Sequence, residues 1–157
     1  WAHRFADHRD RARDIYDEWA ACHHFFLYDD VEPVLRRLAA AGLKIGLISN
    51  TQRPLQTFAA HFGLDGLIAG SVSSAEHGFL KPHPTIFEAA LHALGVAPPE
   101  SVMVGDSVKD DIEGARSLGM RAILLDRDDR FPAEAERITD LFQLVAALGL
   151  APGLRGS

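Results

Sequence analysis

The sequence predicts a three-layer α/β fold, Rossmann-like, built on a mostly parallel sheet. Three observations carry this. Helical and strand-like segments alternate along the chain from residue 31 onward, as they do where right-handed crossovers join parallel strands. Four predicted helices end at a glycine, Gly42, Gly63, Gly95 and Gly119, the residue that closes helices at least steric cost. The run Val102-Met103-Val104 is apolar without alternation, as expected of a strand covered on both faces.

Taken in order, residues 1 to about 26 read as a helical lead-in, with Phe5, Ile15, Tyr16 and Trp19 on one apolar face. His23 and His24 are adjacent, so they point apart, and no carboxylate lies at ligand spacing; a metal site is not expected there. Residues 31–41 follow as a helix and 44–48 as a strand. Helices are expected over 52–62, 84–94 and 110–118, strands over 67–72, 102–104 and 122–125, and a last helix over 139–148. Residues 151–157 have turn composition and are set apart as a tail. The expected organisation is therefore a lead-in over 1–27, a core over 28–150 and the tail.

Composition narrows the function. A chain of 157 residues, 47% apolar and 24% charged, is about one domain and can bury a real core. Its net charge of −6 lacks the basic footprint of general nucleic-acid binding, which leaves small-molecule partners. No apolar run approaches the ~20 residues of a membrane span. The single cysteine, Cys22, fits packing in a reducing compartment, and cytoplasm is the expectation.

The chemistry lies in the loops after the strands. Ser49-Asn50-Thr51 follows a strand directly, where backbone N–H groups and the Ser49 hydroxyl could meet an anion; a plain helix cap is the other reading. Lys81 stands before Pro82, which restricts its backbone and can aim its charge, although an isolated Lys-Pro is usually a solvated turn. His77 and His83 read as solvated or capping residues. Gly105 allows a sharp turn after the apolar strand, and Asp106 then stands at its carboxyl end, where open α/β sheets place ligands. Asp111 follows about one helical turn later. Two carboxylates in a crevice suit magnesium, and helix capping by Asp106, with Asp110 and Asp111 favoured by the dipole, is the alternative.

The order strand-Ser49-Asn50, Lys81-Pro82, strand-Gly105-Asp106-Ser107 resembles the core of the haloacid dehalogenase-like hydrolase superfamily, in its phosphatase branch with a helical cap. The resemblance implies that Ser49 and the Asn50 backbone N–H bind phosphate. It implies that Lys81 neutralises the nucleophile and the transferring phosphoryl group, that Asp106 is a magnesium ligand, and that Asp111 is the second acidic position. Asp110 fits a shorter form of the same pattern. Residues 1–27 then resemble the end of the cap. The implied function is magnesium-dependent hydrolysis of a small phosphorylated metabolite through an aspartyl-phosphate.

The family's first motif, an apolar strand ending in Asp-x-Asp, is not found. Phe25-Phe-Leu-Tyr-Asp-Asp30 falls where the family turns into a helix. Asp126-Arg-Asp128 follows an apolar run, but Asp129 and Arg130 come next and its place matches the last core strand. The resemblance puts the missing strand between those of Ser49 and Asp106, so two unpaired edges are expected there unless an upstream segment, a rearranged sheet or a partner chain fills the place. A dehalogenase, to which Gly105-Asp106-Ser107 is opposed, and a non-catalytic scaffold remain as alternatives.

Overall fold

The computed structural model describes residues 25–150 together with Arg11, Arg13 and Cys22. The lead-in face of Phe5, Ile15, Tyr16 and Trp19, the pair His23-His24 and the tail 151–157 lie outside the described residues. Cys22 is buried, as packing requires.

Helix α1 (Val31–Ala40) buries Val34 and Leu38, keeps a Glu32–Arg36 pair on its wet side, and stops at Gly42, whose φ is +81°. Strand β1 (Ile45–Ser49) follows. Helix α2 (Leu55–His61) starts three residues later than the expected 52, because Pro54 biases Arg53 away from helical geometry and Thr51 Oγ1 holds the Arg53 N–H in a turn at 3.0 Å. Strand β2 (Ile68–Ser73) leads into a one-turn helix α3 (Ser74–His77), which the sequence reading did not distinguish from loop. Helix α4 (Pro84–Leu94) matches its expected span, and its glycine stop, Gly95, is left-handed at φ +63°. Strand β3 (Val102–Gly105) then enters a π-helical turn (Val108–Glu113) that continues as helix α5 (Gly114–Ser117), where a single α-helix was expected. Strand β4 (Arg121–Leu125), a two-residue strand β5 (Arg137–Ile138) and helix α6 (Phe142–Ala147) complete the chain.

All ladders are parallel, as expected, and they fall into two groups that leave β1 and β3 as edge strands, the gap expected where the resemblance puts a further strand. One has the order β1-β2 and the other β3-β4-β5. Both lie between the same two helical layers. On one side Ile86, Phe87 and Leu91 of α4 pack with Ile112, Ala115, Ala122 and Leu124, and with Ile48, Val72 and Met103 from both sheets. On the other, Val34 and Leu38 of α1 pack with Leu144 and Val145 of α6 and with Ile45, Val104 and Ile123. Neighbouring residues such as Met103 and Val104 go to opposite clusters, which is the two-residue period of a strand covered on both faces. Among the described residues no ladder joins β1 to β3. Gly46 and Gly70 are register partners beneath α4, and a Cβ on Gly46 would meet Leu94 Cδ1 at 3.0 Å, so the glycine pair lets this helix lie close.

The two ends of the core are tied by buried acids. The Asp30 carboxylate, 4% exposed, accepts two hydrogen bonds from the Arg127 guanidinium at 2.8 Å each and one from the Leu141 N–H at 2.7 Å. The Arg127 hydrogen bonds hold the Asp30 carboxyl below its ordinary 3.8 despite burial, with the Leu141 N–H adding to the effect. Burial pushes Asp126 up, but the Phe131 and Arg130 N–H groups and the Arg137 charge together bring it below 3.8. At low pH the unfolded chain therefore binds protons on these carboxylates before the folded chain does. Their stabilisation is complete above the unfolded value and is lost as pH falls from about 4 through the lower folded values. Thermal unfolding followed by circular dichroism is expected to show Tm falling between about pH 5 and pH 3. Asp30→Asn should lower Tm at neutral pH and flatten that fall; an unchanged slope would show that Asp30 contributes nothing to it.

Candidate active site

Four elements bring their carboxyl-terminal loops to one edge. Strand β1 delivers Ser49, half-buried, in register with Ser73 of β2. The Ser73 hydroxyl is committed to α3, accepting from the Glu76 N–H and donating to Glu76 Oε2 at 2.9 Å. Ser49 caps no helix, since α2 begins only at Leu55. The loop between α3 and α4 carries Lys81, whose side chain is 11% exposed. Its ammonium meets Asp111 Oδ1 at 2.5 Å and donates to the Ile48 carbonyl at 3.3 Å, which places it beside the end of β1.

Strand β3 ends at Gly105, and Asp106 projects from its carboxyl end, exposed. It does not cap the following turn; Ser107 does, its hydroxyl accepting the Asp110 N–H at 3.1 Å. The turn is widened because the Ser107 carbonyl accepts from both Asp111 at 2.9 Å and Ile112 at 3.2 Å. Such π-type turns hold one residue more than an α-turn. That extra residue brings Asp111 back over the strand end, where it is 2% exposed and accepts the Ser107 N–H on Oδ2 at 3.0 Å. Asp110 stays half-buried at the turn. The close return of Asp111 needs a glycine at 105, since an added Cβ would overlap the Asp111 carboxyl carbon.

The arrangement has a defined chemical capacity. Lys81 offers three N–H donors and uses two on Asp111 and Ile48, so one remains for an anionic oxygen. Each Asp111 oxygen accepts one hydrogen bond here and keeps a lone pair. Asp106 adds a second set of hard oxygen donors. Among the described residues no group of three or more His, Cys, Asp or Glu could hold a metal ion. Two carboxylates suit magnesium, which leaves its remaining positions to water and phosphate, and suit poorly a cation that needs a full cage of side chains.

Other residues singled out by sequence do different work. His83 is the cap of α4, accepting the Thr85 N–H, and its ring stacks on Phe79 with centroids 4.1 Å apart. His77 Nε2 lies 2.9 Å from Thr85 Oγ1. Asp126 is immobilised by Arg130 N–H, Phe131 N–H and Arg137, and Asp128 is exposed beside Arg130. The sequence reading took Asn50 only for its backbone N–H. Its side chain is engaged with the main chain of Lys81, accepting the Lys81 N–H at 2.7 Å and donating to the Lys81 carbonyl at 3.1 Å. No local pattern marks that contact, which spans 31 positions.

Comparison with known proteins follows the same lines. Residues 2–119 match the family described as haloacid dehalogenase-like hydrolase. The chain is 37% identical over 140 residues to a phosphoserine phosphatase of Thermus thermophilus, covering 84% of this chain and 53% of that protein. A crystal structure of a HAD phosphatase from Thermococcus onnurineus superposes with a TM-score of 0.71 at 32% identity, covering 78% of this chain and 58% of that one. A 2-haloacid dehalogenase from Pseudomonas syringae gives 0.70 at 32% identity, over 81% and 55%. The chain thus spans about half the length of the curated relatives it matches.

Proposed function

From the premise that this chain belongs to the haloacid dehalogenase-like hydrolases, we propose that it forms part of a magnesium-dependent phosphoric monoester hydrolase acting on a small phosphorylated metabolite. The observation that carries the reading is the buried Lys81–Asp111 pair at the strand edge, flanked by Ser49 and Asp106. A lysine held this way presents a fixed positive charge where a phosphoryl group would gain negative charge, and costs no reorganisation during reaction. The Ser49 hydroxyl and the Asn50 N–H would donate to two further phosphoryl oxygens.

The nucleophile in this proposal is an aspartate on a segment that fills the place between β1 and β3, and the general acid belongs to the same segment. A carboxylate oxygen bonds to phosphorus as the bond to the leaving oxygen breaks, and that oxygen takes a proton from the general acid. Water then cleaves the aspartyl-phosphate, releasing phosphate and restoring the carboxylate. Asp106 and Asp111 would hold magnesium, which when bound supplies charge neutralisation at the phosphoryl oxygens. The small phosphorylated substrate follows the phosphatases this chain resembles, among them a phosphoserine phosphatase and a glyceraldehyde 3-phosphate phosphatase, and a cytoplasmic setting is part of the same proposal. The chain is acidic with one cysteine, and no helix among the described residues is long and apolar enough to cross a membrane.

The test is phosphate release from p-nitrophenyl phosphate by the full-length protein, with and without a chelator. Activity should vanish without divalent metal and return with magnesium. Asp106→Asn should weaken magnesium binding, read by calorimetry, by at least the roughly tenfold that loss of even an outer-shell partner costs. Asp128→Asn should leave it unchanged. Equal losses from the two substitutions, or full activity in chelator, would remove the assignment. The likeness to a 2-haloacid dehalogenase gives a second reading, decided by chloride release from a short 2-haloacid.

A further inference from the structure

Lys81 is held at two places that are chemically independent. Its ammonium is fixed by Asp111 and the Ile48 carbonyl. Its backbone is fixed by the Asn50 carboxamide, which takes the Lys81 N–H at 2.7 Å and gives its own N–H to the Lys81 carbonyl at 3.1 Å. One side chain thus satisfies both main-chain polar groups of one residue, as a neighbouring strand would. Without it both groups would face solvent at the tip of a loop. The ammonium end alone cannot set the reach of a four-carbon chain whose Cα is free to move.

We propose that Asn50 is a positioning residue for Lys81, acting through its carboxamide on the lysine backbone, and that this role is separate from any contact its N–H makes with phosphate. The proposal rests on the phosphatase reading for its consequence in catalysis but not for the clamp itself. Residues 79–83 have one backbone hydrogen bond of their own, from the His83 N–H to the Leu80 carbonyl at 2.9 Å. The β1 loop holds the preceding turn through the Thr51 carbonyl, which accepts from the Ala75 N–H and the Ser74 hydroxyl. The contact that fixes the Lys81 main chain to the β1 loop is the Asn50 carboxamide. Because Asn50 is exposed, its replacement removes the clamp without opening a core.

The chain provides its own controls, since it has three lysines, Lys44, Lys81 and Lys109. Limited acetylation at pH 8, read residue by residue by peptide mass mapping, reports how far each amine is protected. Asn50→Ala should speed labelling of Lys81 about tenfold relative to Lys109, as expected where a clamp that keeps an ion pair closed is lost. Lys44, which is hydrogen-bonded to the Leu94 carbonyl at 2.7 Å, should not change. In the full-length protein with p-nitrophenyl phosphate, the same variant should lower kcat about 10- to 100-fold, the scale of a misplacement near 1 Å, with KM within about twofold. Asn50→Asp can accept the Lys81 N–H but cannot donate to its carbonyl, and should fall between wild type and alanine in both readouts. It also serves as the test if the alanine variant does not fold. Lys81 labelling in either variant as slow as in wild type overturns the clamp. Faster labelling in a full-length protein that hydrolyses no phosphomonoester upholds the clamp and overturns the phosphatase reading instead.

Discussion

Replacing Lys81 by Met in the full-length protein is expected to lower kcat about 10³-fold, the scale seen when a fixed donor to a developing charge is removed. Methionine keeps the length of the stem and its packing, so the loss isolates the ammonium. The substitution also strips Asp111 of its partner while leaving it nearly fully buried. A buried carboxylate without a counter-charge is costly, so the variant should be destabilised as well. Adding magnesium should recover part of that stability, because a cation beside Asp111 restores a compensating charge. A kcat within tenfold of wild type would show that Lys81 does not touch the reacting group.

The second large effect is expected at Gly105, a residue that makes no polar side-chain contact at all. A Cβ there would overlap the Asp111 carboxyl carbon, so Gly105→Ala must push Asp111 away from β3. Moving Asp111 breaks its bond to the Ser107 N–H and opens the pair with Lys81 in one step. The expected cost is about 3 kcal/mol, the scale of breaking a buried ion pair, read as a lower urea midpoint with unchanged slope. Gly66→Ala is the matched control. A Cβ at Gly66 meets nothing within 4 Å and its φ is not positive, so its effect should stay within about 0.5 kcal/mol. Equal midpoints for the two variants would mean that the turn relaxes without disturbing the pair.

What the sequence made legible was whatever is written locally. The glycine stops are left-handed at Gly42, Gly63, Gly95 and Gly119, and the alternation of helix and strand held through β4. Strand β5 was missed because two residues, Arg137 and Ile138, carry no periodicity to detect. The late start of α2 is legible in Pro54, which disfavours helical geometry at Arg53. At the site, Lys81 could be singled out by its proline, but its partners could not be derived from spacing. The Asn50 clamp joins positions 31 apart, and Asp30 meets Arg127 across 97. Which of Asp110 and Asp111 returns over the end of β3 depended on whether the turn after β3 is α or π. Five positions separate Asp106 from Asp111, which is too many for an α-turn and suits the wider one.

The division into two sheets has a consequence for how the molecule would open. In a single sheet, disturbance passes from strand to strand through backbone ladders, which break cooperatively. Here residues 45–73 form one ladder system and residues 102–138 the other, and each is nearly contiguous in sequence. Among the described residues the two are joined by side-chain packing, through the cluster of Ile86, Phe87 and Leu91 on one side and that of Val34, Leu38 and Val145 on the other, and by the Lys81–Asp111 bridge. Without a strand between β1 and β3 each system is its own unit of amide protection; the segment that the proposed mechanism places there would join the two by backbone ladders and make their opening cooperative.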